Sequence, residues 1–134
     1  MGVPVILIAV DDKLDAIRSA LGSLNQTSGE SSEVLVDSRL TYRSGDPVRI
    51  RVRQRGRRYD LADDGAAVSL AGKPSGWLER VEHVVAGDGF NVNRRGVIFV
   101  PAVEGRDIAA LTLRLADTSR SAYLTLLEAA AEAV

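Results

Sequence analysis

The chain contains no cysteine, which excludes disulfides and thiolate metal sites and makes a reducing, cytoplasmic setting the natural expectation. It has a single histidine, His83, so a serine–histidine–carboxylate relay has only one possible base. That residue falls between the apolar and polar sides of its segment, beside Glu79 and Glu82, and reads as a surface or boundary residue. Aromatic residues make up 4% of the chain, too few for the stacking platforms with which proteins read single-stranded nucleic acid. The apolar run Val3 to Val10 falls well short of the roughly 20 residues that span a bilayer. Asp11-Asp12 follows it where a signal peptide would place small residues, so neither a membrane span nor a secretory leader is read.

What is present fits one domain of ordinary composition, residues 1–134, with 46% hydrophobic and 26% charged residues. A chain of this size buries roughly two-thirds of its unfolded surface, enough for a core without covalent staples. The net charge of -1 conceals an uneven distribution. Eight arginines and a single acid, Asp46, lie between Arg39 and Arg58, whereas the first 37 residues carry six acids against only Lys13 and Arg18. Such asymmetry points toward an anionic partner.

The clearest pattern runs from Pro47 to Gly65. Arg49, Arg51, Arg53 and Arg55 occupy alternate positions, with Val48, Ile50 and Val52 between them. A period of two predicts a strand with arginines on one face and branched aliphatics on the other. Glycine at 56 predicts a turn into a second strand over 57–63, and an alternating stretch over 33–42 predicts a preceding strand, joined by the Ser44-Gly45-Asp46-Pro47 turn. The three strands make an antiparallel meander. A small hairpin is expected near 90–100, turning at Arg94-Arg95-Gly96.

Helical spacing appears in three places. Leu14, Ile17, Leu21 and Leu24 predict an N-terminal helix, and Trp77, Leu78, Val81, Val84 and Val85 predict a central one with Ser75 as its cap and Gly87-Asp88-Gly89 as its end. From Arg106 onward Ile108, Leu111, Leu115, Ala122, Leu126 and Ala129 predict a long C-terminal helix, with a kink expected at Thr118-Ser119 and a frayed end at its last residues. Val3 to Val10 reads equally as a strand or as a helix start. The sum is an α+β domain with helices covering the Val48/Ile50/Val52 face.

Tyr59-Asp-Leu-Ala-Asp-Asp-Gly65, which closes the hairpin and leads into a helix, resembles the signature of a bacterial and phage family of unknown function: aromatic-x-Leu-(Thr/Ser)-Asp-Asp-Gly. The resemblance extends over about Asp11 to Asp117 and departs from the signature at Ala62, where a hydroxyl is expected. It implies a fold of helix, meander, signature and further helices. It implies no activity.

Two groups of residues carry candidate chemistry. Arg49, Arg51, Arg53, Arg55, Arg57 and Arg58, with Arg43 and the basic tip Asn91–Gly96 nearby, set guanidinium forks about 7 Å apart along a strand and suit an anion or the phosphates of a nucleic acid. Against this stand Asp37 and Asp60, whose registers would pair with the same face. Asp60, Asp63 and Asp64 could hold Mg²⁺ for phosphodiester chemistry, but successive strand residues point opposite ways, and capping of the helix that starts at Ala66 is the preferred role for Asp63 or Asp64. A third reading is a homo-oligomer that packs through Leu113, Leu124 and Leu127 of the C-terminal helix. A binding module without cofactor is favoured over an enzyme.

Overall fold

A computed structural model describes the backbone of residues 5–9 and the whole of residues 33–132. The N-terminal helix expected over Asp11 to Leu24 lies outside the described residues. Val3 to Val10, which the sequence left open, contains strand β1 (Val5–Ala9). The meander follows as β2 (Glu33–Thr41), β3 (Pro47–Arg55) and β4 (Arg58–Ala62). Helices α1 (Ala66–Ala71) and α2 (Trp77–Gly87), strands β5 (Asn91–Val92) and β6 (Ile98–Val103), and helix α3 (Ile108–Glu132) complete the α+β fold.

The described strands form one sheet in the order β1-β2-β3-β4-β6-β5. All neighbours are antiparallel except β1, which runs parallel to β2. The small hairpin expected near 90–100 forms from β5 and β6, and β6 also docks on β4, which joins the hairpin to the meander. Period-two alternation sorts the faces as β geometry requires. Val48, Ile50 and Val52 are fully buried, opposite Val36 and Val34 of β2 and Leu61 of β4. Burying each such side chain stabilises the fold by roughly 1.5–3 kcal/mol.

Helix α3 closes the core with Leu115, Ala122 and Leu126. It continues through Thr118 and Ser119 as one helix, because both hydroxyls bond to side chains on other elements rather than to their own backbone. Helix α2 begins at the cap Gly76, with φ of 74°, rather than at Ser75. It ends as the sequence indicates: Phe90 N–H reaches Val85 O and Gly89 N–H reaches Ala86 O, a Schellman closure with Gly89 in the left-handed region. Thr118 then donates to Asp88 Oδ2 at 2.6 Å, pinning the end of α2 to α3.

Two bulges shape the sheet, each with a non-glycine residue at positive φ. In β2 the stretch Asp37–Thr41 faces the shorter Arg49–Pro47, with Arg39 at 67°. In β6 Ala102 stands at 56° where the register against β4 slips, and Asp60 Oδ1 accepts its N–H at 3.0 Å. Bulges of this kind break the regular alternation that sequence patterns rely on.

Candidate functional site

The arginines of β3 lie on the outer face of the sheet. In cross-strand rows Arg49 stands opposite Asp37, Arg51 between Leu35 and Ala62, and Arg53 between Glu33 and Asp60. Acids from four different segments reach into this face. Arg51 is held from two sides, by Glu33 Oε2 at 2.9 Å and by both oxygens of Asp64 at 3.0–3.1 Å through its Nε. These partners, Asp64 foremost, raise its pKa further. Arg55 grips Asp60 in a two-point fork at 2.9 and 3.1 Å. Arg58 meets Glu104 at 3.1 Å, and Arg53 approaches Glu33 only to 3.9 Å. Among the described residues Arg49 and Arg57 enter no ion pair and are exposed.

Of the six candidate arginines, then, Arg51, Arg55 and Arg58 are clamped by carboxylates, while Arg49, Arg53 and Arg57 present their heads to solvent. The sequence pointed to Asp37 and Asp60 as neutralising residues. Asp60 does so diagonally, on Arg55, whereas Asp37 turns its Oδ1 to the N–H of Arg39 at 2.9 Å. Glu33, Asp64 and Glu104 were missed, because strand register rather than sequence proximity brings them in.

The three aspartates separate into three environments. Asp60 serves Arg55 and the bulge at Ala102; Asp64, at φ 60°, turns outward to Arg51; Asp63 turns inward and is 1% exposed. Asp63 Oδ1 accepts the N–H groups of Gly65 at 2.8 Å and Ile98 at 2.9 Å, and Oδ2 accepts the Ser119 hydroxyl at 2.6 Å. Ser119 lies 2.7 Å from the Tyr42 hydroxyl. Since the serine proton is given to the carboxylate, Tyr42 donates to Ser119 Oγ. Burial pushes the Tyr42 pKa up to about 12, with the negative charge of Asp63 adding to the rise. One carboxylate thus ties the end of β4 to β6, α3 and, through Ser119, the end of β2.

Neither Asp63 nor Asp64 is the cap of α1. That position is taken by Gly65, at φ 77°, with no side-chain cap bond. Among the described residues no group of three or more histidine, cysteine, aspartate or glutamate side chains is placed to hold a metal ion. The Mg²⁺ geometry considered for Asp60, Asp63 and Asp64 is not formed, since each carboxylate is turned to a different set of donors. The sequence did carry one sign of the buried network: Ser119 falls on the apolar side of α3, four residues after Leu115, where a hydroxyl requires a partner.

The pKa values of Asp60 and Asp63 are shifted in opposite directions. Hydrogen bonding from Arg55, with smaller help from the Ala102 N–H, holds Asp60 below the usual carboxylate range. Burial pushes Asp63 above it, against the opposing pull of its Ser119, Ile98 and Gly65 donors. The stability contributed by Asp60 is therefore present above its unfolded pKa, about 3.9, and is lost as pH falls through its lowered value. For Asp63 the contribution is full below about 3.9 and is lost as pH rises through its raised value. Carboxyl carbon NMR should place the Asp63 midpoint above that of Asp60; coincident midpoints would contradict this assignment.

Elsewhere, open clefts of about 390 Å³ and about 320 Å³ lie between α2 and α3 and share Arg80. His83 lines the first with Glu79, Val84 and Thr125 and is exposed, in keeping with a surface or boundary residue. On α3 Leu113 and Leu124 are exposed, but Leu127 packs on the core, and the exposed Asp117–Arg120 pair lies between the two leucines along the helix. The apolar side proposed for oligomer contact is thereby interrupted. No helix among the described residues is long and apolar enough to cross a membrane. Comparison of the chain with family models, with curated proteins and with solved structures finds no match.

Proposed function

We propose that this protein is a binding module rather than an enzyme, and that its arginine-bearing sheet face meets an anionic partner, best fitted by the phosphate backbone of a nucleic acid. The observation that carries the reading is the split within that face. Acid clamps hold Arg51 and Arg55, while among the described residues the exposed Arg49 and Arg57 enter no ion pair and the exposed Arg53 has only the long 3.9 Å contact with Glu33. The guanidinium forks that the acids do not clamp are available to phosphate oxygens. A reducing, cytoplasmic setting suits the cysteine-free chain. On its Tyr59–Gly65 signature we group the chain with the bacterial and phage family it resembles, which brings no activity with it.

Fluorescence anisotropy on a labelled DNA duplex tests this. Binding should weaken with salt by about 0.9 log units per log unit for each phosphate contacted. Arg49→Gln with Arg53→Gln should flatten that slope by up to about 1.8. Absence of binding at low salt, or binding insensitive to salt, would remove the reading.

A further inference from the structure

The unpaired cations are not spread evenly over the molecule. In the central row of the sheet Arg51 faces Ala62, which in turn faces Phe99. From that row, β3 runs back to Pro47 and the Arg43–Asp46 turn, β4 runs forward to Asp63, and β6 runs back to Ile98 and the Asn93–Val97 turn. All three reach the same end of the sheet. Arg43, Arg94 and Arg95 sit on these two turns, and Arg49 is the outward arginine of β3 nearest to them. All four are exposed, and among the described residues none has a side-chain hydrogen bond or ion pair. At the opposite end Arg55, Arg58 and Arg106 are each paired with an acid, and Arg57 alone is left open.

Both turns are built firmly. Tyr42 N–H donates to Asp46 O at 2.9 Å, and Gly45 N–H donates to Tyr42 O at 2.9 Å. In the second turn Asn93 Oδ1 accepts the N–H groups of Arg95 at 2.9 Å and Val97 at 3.1 Å, while Gly96 is backed against Val68 of α1. The acids at this end are turned elsewhere: Asp46 accepts from Ser44 at 2.8 Å, Asp37 from the Arg39 N–H, and Asp64 from Arg51. With the turn backbones already fixed, binding has only the arginine side chains left to order.

In the strand order the two turns lie three inter-strand spacings apart, which is about 14 Å. The major groove of B-form DNA is about 12 Å wide. We infer that the Arg43 turn and the Arg94-Arg95 turn are the phosphate-contacting elements of this protein and straddle the major groove of duplex DNA, with Arg49 between them. The inference rests on the proposed anion-binding function and moves its contacts from the middle of the sheet face to one end. The deep, narrow major groove of A-form RNA does not match this spacing.

Salt titration of duplex binding by the wild-type chain, by Arg43→Gln/Arg94→Gln/Arg95→Gln and by the control Arg106→Gln/Arg120→Gln decides the matter, with circular dichroism confirming that each variant is folded. The tip variant should lose about 2.7 units of the log–log salt slope, and the control none. Wild-type binding with an unchanged slope in the tip variant would overturn this assignment while leaving the anion-binding reading in place. No binding by the wild-type chain would overturn both. Equal affinity and slope on duplex RNA would overturn the groove assignment.

Discussion

Asp63→Ala is expected to lower stability by about 3–5 kcal/mol, a large part of what a domain of this size possesses. The residue is one of the most buried charged groups in the described chain and supports three donors at once: the N–H of Gly65, the N–H of Ile98 and the hydroxyl of Ser119. Alanine leaves the two N–H groups without their carboxylate acceptor at a point where the end of β4, the start of β6 and the middle of α3 converge. The urea midpoint reads the loss directly. Asp63→Asn separates two roles that alanine removes together. Its amide oxygen still accepts both backbone N–H groups, but its NH₂ must donate where Oδ2 accepted, so Ser119 reverses and Tyr42 loses the acceptor of its proton. A smaller loss is expected, together with disappearance of the decline in stability as pH rises through the raised Asp63 pKa. An alanine variant with the wild-type urea midpoint would remove Asp63 from its place as the junction of the fold.

This junction also explains why the Tyr59–Gly65 stretch is a structural device. Strand β4 ends just before Asp63, whose carboxylate folds inward, and the next two residues take positive φ, Asp64 at 60° and Gly65 at 77°, so that the chain reverses into α1. Leu61 and Asp63 are buried and Asp64 is exposed, so the opposition of neighbouring residues that a strand imposes carries on into the turn and sends the two aspartates to opposite faces of the molecule. Asp64 reaches the outer face and Arg51; Asp63 reaches the core and Ser119. The sequence showed two adjacent carboxylates and a glycine, a pattern that metal sites share. Extended geometry alone sets the two apart, and although the chain does bend here, the bend does not bring them onto a common ligand.

Legibility followed the range of the interactions involved. The three meander strands, their faces and the buried set Val48, Ile50 and Val52 could be read because period-two alternation is local and the flanking turns carry Gly45, Pro47 and Gly56. The end of α2 could be read for the same reason, since the Schellman closure needs only Gly89 and its neighbours. The parallel pairing of β1 with β2 could not, because the register between distant segments leaves no local trace. Nor could the clamps on Arg51 and Arg58, whose acids arrive from Glu33 and Glu104. Thr118 and Ser119 suggest a kink in α3 from sequence, on the rule that hydroxyls compete for helix backbone bonds. They instead bond to Asp88 and Asp63, and a partner across space outweighs the local tendency. The bulges at Arg39 and Ala102 break the period itself.

Gly96→Ala tests the packing of the second arginine-bearing turn and is expected to destabilise the protein by about 2–4 kcal/mol. Two penalties add at this position. The backbone φ is +88°, where a side chain with a Cβ is strained by roughly 1–2 kcal/mol. A new Cβ would also stand 2.8 Å from Val68 Cβ, 2.9 Å from Cγ1 and 3.1 Å from Cγ2, contacts that buried Val68 in the short helix α1 cannot yield without moving. Gly45→Ala separates the two terms, since Gly45 has φ of +94° and nothing within 4 Å of its added Cβ. It should show the backbone strain alone. Adding Val68→Ala to Gly96→Ala removes the two Cγ contacts but not the one at Cβ, so the double variant should recover only part of the steric loss, with a coupling of about 0.5–3 kcal/mol. Equal urea midpoints for Gly45→Ala and Gly96→Ala would mean that the turn is not seated on α1. A seated turn also has a functional reading: displacing it from Val68 shifts Arg94 and Arg95 together, so Gly96→Ala, where it remains folded, should weaken duplex binding without removing any charge.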